Sequence, residues 1–198
     1  MRPETILAFD TSAAHCAAAL LCDGKITLQI EPMDKGQAER LVPLLTELLA
    51  SQGLQWSDLT AIAVGTGPGN FTGVRISVAA ARGLALGLGI PAVGVSALHA
   101  QALGTNGAVL STLDARKGGL YLQGFGLKGV AAQILNLATL PPLPPATCVG
   151  FAAEAVAAEV AHLVEGLHRA PRVAEVPRQL VHARPFLRQA HGTRSLVV

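Results

Sequence analysis

The sequence predicts an α/β protein of mixed β-sheets with crossover helices, and three observations carry that prediction. Asp23-Gly24 separates two strand-like runs, His15 to Leu21 and Lys25 to Ile30, which is a strong hairpin signal. Two helical patterns, Glu39 to Ser51 and Thr72 to Leu88, alternate with the apolar runs Leu59 to Val64 and Ile90 to Val95. With the opening run Thr5 to Phe9 and a short helix after Ser96, the order becomes β-β-β-α-β-α-β-α, with helices supplied by the crossovers.

The elements follow in chain order. Thr5 to Phe9 is apolar and ends at the polar corner Asp10-Thr11-Ser12. In the first helix Leu41, Leu44, Leu45, Leu48 and Leu49 keep i, i+3, i+4, i+7, i+8 spacing, and Gly53 is a natural stop. Pro43 is comfortable only in a first turn, so this helix is expected to begin near Leu41. Ser96 is placed to cap a helix running to Leu103. The chain then breaks at Gly104-Thr-Asn-Gly107, giving an N-terminal lobe at 1–103 and a second lobe at 104–198. That second lobe reads as a strand (Ala108 to Leu113), a turn (Asp114 to Gly119), a returning strand (Leu120 to Leu127) and an alanine-rich helix (Phe151 to Glu165). Pro141-Pro-Leu-Pro-Pro145 reads as a stiff linker, and Pro171, Pro177 and Pro185 rule out a long helix after His168.

The run Gly65 to Arg75 stands where a phosphate-binding loop would stand, between a buried strand and a helix N-terminus. It lacks the Lys and following Ser or Thr that hold phosphates and metal; Asn70, Phe71 and Thr72 occupy those places. Gly65, Gly67 and Gly69 alternate, so the spacing misses the dinucleotide fingerprint as well. The helix that follows carries only Arg75 and Arg82 as charges, seven apart and on nearly one face. A helix apolar on almost every side is expected to be covered on almost every side. At ~17 residues with two arginines it is a poor membrane span. The leucine-rich helix raises the same question, because Val42 and Ala50 extend its apolar surface beyond the stripe. Two readings stay open: both helices pack inside a larger domain, or they dock another subunit.

Composition narrows the classes. Among 198 residues 51% are hydrophobic and 14% charged, which excludes disorder and leans toward association. A net charge of +2 makes no case for nucleic-acid binding by itself, although Arg169, Arg172, Arg178, Arg184, Arg188 and Arg194 concentrate in a basic tail. Cys16, Cys22 and Cys148 have no C-x-x-C spacing and read as small buried hydrophobes in a reducing compartment. The opening residues run straight into a strand, so a cytoplasmic protein is expected. His15, His99, His162, His168, His182 and His191 include no pair at i, i+4, so no metal site is expected. Asp10 is the best isolated carboxylate: an acid at that corner faces phosphates or metal in nucleotide-handling folds, and equally serves as a turn residue. Asp114 and Arg116 either pair with each other or line a cleft.

Four stretches carry a family resemblance: Ile6-Leu-Ala-Phe-Asp-Thr-Ser12, Gly67-Pro-Gly-Asn-Phe-Thr-Gly-Val-Arg-Ile76, Gly83-Leu-Ala-Leu-Gly-Leu-Gly-Ile-Pro91 and Leu113-Asp-Ala-Arg116. They resemble the bacterial TsaB (YeaZ) family, densely from Ile6 to Tyr121 and weakly afterwards, with Pro185-Phe-Leu-Arg188 similar to the family's terminal signature. The resemblance implies an actin-like (ASKHA, ribonuclease H-like) fold of two lobes, with the second lobe shortened. It implies a non-catalytic subunit in the synthesis of threonylcarbamoyladenosine next to the anticodon of ANN-decoding tRNAs. The implied partners are TsaD, whose threonylcarbamoyl transfer it would activate, with TsaE in the larger complex, a second copy when alone, and tRNA through the complex. No tightly bound cofactor is implied, and ATP or ADP would sit at the junction with TsaD. Leu41, Leu44, Leu45 and Leu48 with Arg75, Val78 and Arg82 are expected to form the contact. Gly67, Pro68, Gly69, Phe71, Thr72 and Gly73 would set the helix angle, and Asp10 and Thr11 would be the nucleotide contacts if there are any. Departures from the family are Gln37-Ala-Glu39 in place of His-Ser-Glu, and Asn70 in place of serine. The rival from another class is an independent ATP-dependent small-molecule kinase of the same fold, using Asp10 and the glycine loop. A peptidase has no nucleophile–base or metal constellation to support it.

Overall fold

The structure is a computed structural model, and residues 4–164 are described. The basic tail, the prolines at 171, 177 and 185 and the Pro185–Arg188 stretch lie outside the described residues. The chain divides into two units between Ala100 and Gln101, three residues before the boundary expected from sequence.

The first unit is a five-stranded mixed sheet. It contains β1 (Thr5–Asp10), β2 (His15–Cys22), β3 (Lys25–Pro32), β4 (Ala61–Gly65) and β5 (Ala92–Val95) in the order β3-β2-β1-β4-β5. The meander β1-β2-β3 is antiparallel, whereas β4 and β5 run parallel to β1 because helices carry the chain back each time. Asp23 (φ 48) and Gly24 (φ 73) are both left-handed, the geometry a two-residue hairpin of the primed type requires. The helices are α1 (Gln37–Ser51) and α2 (Phe71–Leu88). Both lie over the sheet face that presents Leu7, Phe9, Cys16, Ala18, Leu20, Ile62 and Val64. The alternate residues Ile6, Ala8, Ala19, Ala63 and Val95 form a second core with Ala100 of α3 (Ala97–Ala102). Burial pushes the Cys16 thiol, in the first core, up to about 11.

Two expectations about the helices are corrected. Leu41, Leu44, Leu45 and Leu48, expected to meet a partner, are at most 1% exposed and seal α1 onto its own sheet. Each contributes about 1.5–3 kcal/mol to that core, so none is available to another chain. The helix also starts at Gln37, not near Leu41, and runs through Pro43. The ring is tolerated because Pro43 lies on the exposed side of α1, at the cost of the helical donor to the Glu39 carbonyl. By contrast α2 buries only the stripe Gly73, Ser77, Ala81 and Ala85. By length and composition it is apolar enough to cross a membrane, with 22% of it buried. Its inner stripe is packed on the sheet, and no described residue of the unit covers the opposite face.

The second unit repeats the first in reduced form. It contains β6 (Val109–Arg116), β7 (Gly119–Phe125), β8 (Gln133–Asn136) and β9 (Thr147–Gly150), ordered β8-β7-β6-β9. The pairings are again antiparallel, antiparallel and parallel. The prolines at 141–145, read from sequence as a stiff linker within this lobe, lie between β8 and β9. They form part of the crossover from β8 to β9, where the first unit has α1, and Leu143 among them is 5% exposed in the core. The helix α4 (Ala153–Val164) buries Ala153, Val156, Ala157 and Val160 beside Leu110, Leu120, Leu122 and Cys148. At the β6–β7 turn Asp114 Oδ1 accepts the Arg116 backbone N–H at 2.6 Å, so the carboxylate holds the turn.

Candidate docking face

Asp10 ends β1 with its side chain folded inward, 1% exposed. Its Oδ1 accepts from the Ser12 N–H at 2.8 Å and the Ser12 Oγ–H at 2.7 Å, and His15 Nε2 lies 3.6 Å away. Its Oδ2 lies against Gly65, where a Cβ would stand 1.7 Å from it, and has no hydrogen-bond partner among the described residues. Burial pushes the carboxyl up, but His15 and the two Ser12 hydrogen bonds together outweigh it, and the group titrates below the usual carboxylate value. The sequence reading left Asp10 as either a phosphate-facing or a turn acid. Its geometry here is that of a turn acid, sealed from solvent.

The corner Asp10-Thr11-Ser12 receives the start of α2. The Asn70 N–H donates to the Ser12 carbonyl at 2.6 Å, and Thr11 Oγ1 donates to the Gly73 carbonyl at 2.6 Å. A side chain at Gly73 would collide with the Thr11 carbonyl, 1.9 Å from an ideal Cβ, so the helix approaches this closely only as glycine. Gly69 similarly abuts Ser12, and Gly67, next to the half-buried Pro68, accepts from the Ala97 N–H at 2.7 Å. Asn70 caps α2, its Oδ1 accepting from Thr72 N–H at 3.0 Å and Gly73 N–H at 3.1 Å. A cleft of about 280 Å³ opens between the starts of the two helices, with Thr11, Asn70 and Thr72 on one side and Lys35, Gly36 and Glu39 on the other. Among the described residues no group of three His, Cys, Asp or Glu is placed to hold a metal.

Away from the sheet, α2 presents a continuous stripe. Phe71 is 68% exposed and Leu86 85%, with Arg75, Ala79, Arg82, Gly83 and Gly87 also exposed between and beside them. The Arg75 guanidinium stacks 3.8 Å over the Phe71 ring. Neither Arg75 nor Arg82 has an ion-pair partner among the described residues. Val78 is half-buried at the side, packed against the first core. Next to α2, α1 adds Val42, 46% exposed, with Pro43, Thr46 and Ala50. On its other flank Arg40 bridges Glu31 and Glu47 at 2.6 and 2.5 Å and holds both carboxyls below their usual value.

Comparison with known proteins gives this face a context. The family described as "TsaD: tRNA N6-adenosine threonylcarbamoyltransferase" matches residues 31–136, more than half of the chain. The tRNA threonylcarbamoyladenosine biosynthesis protein TsaB of Escherichia coli (strain K12) is 42% identical over 121 residues, 59% of this chain and 52% of that protein. The solved structure of YeaZ from Pseudomonas aeruginosa superposes with a TM-score of 0.69 at 28% identity, covering 96% of this chain and 91% of that one. The chain belongs to the TsaB (YeaZ) family. It spans about half the length of the Escherichia coli and Haemophilus influenzae TsaB proteins that it matches. The actin-like, ribonuclease H-like fold that the resemblance implied is the fold observed.

Of the family departures, Asn70 keeps the capping function of a serine through its Oδ1. Gln37 opens α1 and donates from Nε2 to the Met33 carbonyl at 3.1 Å. Sequence reasoning singled out Arg75, Arg82 and the glycine loop, and these lie on or beneath the uncovered face. It missed Leu86, whose i, i+4 relation to Arg82 was a usable signal. It also missed Gly65, whose role depends on a residue 55 positions earlier.

Proposed function

We propose that this chain is a non-catalytic scaffold and activating subunit in the synthesis of tRNA threonylcarbamoyladenosine, acting on ANN-decoding tRNAs by docking to TsaD. The observation that carries the reading is the outer face of α2, where Phe71, Arg75, Ala79, Arg82 and Leu86 stand uncovered beside Val42 of α1. A stable interface needs roughly 800 Å² per partner, which two adjacent helices supply. Arg75 and Arg82 would meet carboxylates on TsaD, a contact for which the guanidinium fork is suited. Docking would stabilise the active conformation of TsaD, a population shift. TsaE would join the larger complex and tRNA would be reached through it, in the cytoplasm, with ATP or ADP held at the junction with TsaD and none held by this chain alone. The inward-turned Asp10 counts against an independent kinase.

The test is tRNA modification by purified TsaD with and without the chain, alongside measurement of the complex. Leu86→Glu with Val42→Glu, at positions where folding is little affected, is expected to weaken the complex at least about 100-fold, as ~3 kcal/mol of lost burial implies, and to abolish activation. An intact complex with full activation would overturn the reading.

A further inference from the structure

We propose that the Asp10–Thr11–Ser12 corner is a positioning element for the docking face, clamping the first turn of α2 and so fixing where Phe71 and Arg75 meet a partner. The inference rests on the docking reading above.

The corner is more tightly built than a surface turn needs. An ordinary turn aspartate keeps an oxygen in water, whereas both Asp10 oxygens are buried and Oδ2 has no hydrogen-bond partner among the described residues. A buried unpaired oxygen is costly, and it is retained where the carboxylate makes the corner rigid through Oδ1 and Ser12. From that corner three contacts reach α2. The Ser12 carbonyl receives Asn70 N–H, the Thr11 hydroxyl donates to the Gly73 carbonyl, and the Thr11 carbonyl fills the space a Gly73 side chain would occupy. Phe71 and Arg75, stacked on each other, project one turn apart from the same face at this end of the helix. Further along, at Gly83 and Gly87, no neighbouring element among the described residues comes within 4 Å of where a Cβ would stand. The N-terminal end of α2 is thus held from beneath by the corner, and its outer side is exposed among the described residues.

The decisive variant is Thr11→Val, which keeps the shape and removes the hydroxyl donor, compared with Thr11→Ser, which keeps the donor. In the full chain, amides from Thr72 to Ile76 are expected to exchange about tenfold faster in Thr11→Val, and affinity for TsaD to fall about tenfold, the effect of one buried hydrogen bond. Thr11→Ser should restore both, which general loss of packing would not predict. Unchanged exchange in Thr11→Val overturns the clamp. Faster exchange with unchanged affinity overturns the positioning role. A wild-type chain that fails to bind TsaD overturns the docking reading and the positioning role together, while the exchange rates still decide the clamp.

Discussion

At the scale of single residues, Asp10 is the side chain whose environment says most. Its folded pKa lies below the ordinary carboxylate value because His15 and Ser12 outweigh the opposing effect of burial. A depressed carboxyl adds stability that is fully present above the unfolded value, about 3.9. That stability is lost as pH falls through this value toward the folded one. Urea unfolding of wild type and Asp10→Asn, followed from about pH 6 down to about pH 2, should therefore show a steeper acid loss in wild type. Parallel slopes would mean that the carboxylate charge contributes nothing to the corner. The sequence marked Asp10 as chemically notable and left its direction open. The deciding neighbour is Gly65, which leaves space for Oδ2 and approaches only when β4 pairs with β1. No local pattern contains that information.

At the scale of elements, the same limit explains which readings held. The leucine spacing predicted a helix, and α1 forms, but periodicity gives a stripe without saying what the stripe faces. The sheet residues Phe9, Cys16, Leu20 and Ile62 needed cover, and α1 supplies it with the leucines thought to serve a partner. The hairpin at Asp23-Gly24 was legible because its signal is local and stereochemical. β8 and β9 were not: each has four residues, too few for alternation to register, and they lack the uniformly apolar run, Ile90 to Val95, that marked the equally short β5. The open side of α2 was half legible. Its lack of acidic residues was plain, but only the stripe Gly73, Ser77, Ala81 and Ala85 is buried, its flanks Ile76, Val78, Ala80, Leu84 and Leu88 are partly buried, and the outer side is exposed among the described residues. Gly83 gives a direct test of that exposure, because an exposed helical glycine costs about 1 kcal/mol relative to alanine, and no neighbouring element among the described residues comes within 4 Å of where its Cβ would stand. Gly83→Ala should stabilise the isolated chain by about 0.5–1 kcal/mol in urea unfolding and weaken its complex with TsaD. A destabilised isolated chain would show that this part of α2 is covered within the fold after all.

At the scale of the molecule, the two units use one topology for different ends. Both run antiparallel, antiparallel, parallel from the outer strand, yet only the first returns to its sheet through long helices. The second crosses over through prolines and keeps its single long described helix, α4, against its own core. Among the described residues, the continuous exposed helical face is therefore found on the first unit. Charged residues are only 14% of the chain, so little repulsion opposes association. The stripe proposed to meet TsaD would equally suit a second copy: α2 packed on α2 about a two-fold axis would cover Leu86 and Phe71 on both protomers, as an isologous contact does. The isolated wild-type chain should therefore shift from monomer to dimer with rising concentration in sedimentation or light-scattering measurements. Leu86→Glu should remain monomeric over the same range. With one face proposed for both contacts, added TsaD should convert the dimer to a one-to-one complex, with no species in which two copies and TsaD are joined. A stable assembly of two copies with TsaD seated elsewhere would show that the faces are separate, and the docking surface would have to be sought outside α1 and α2.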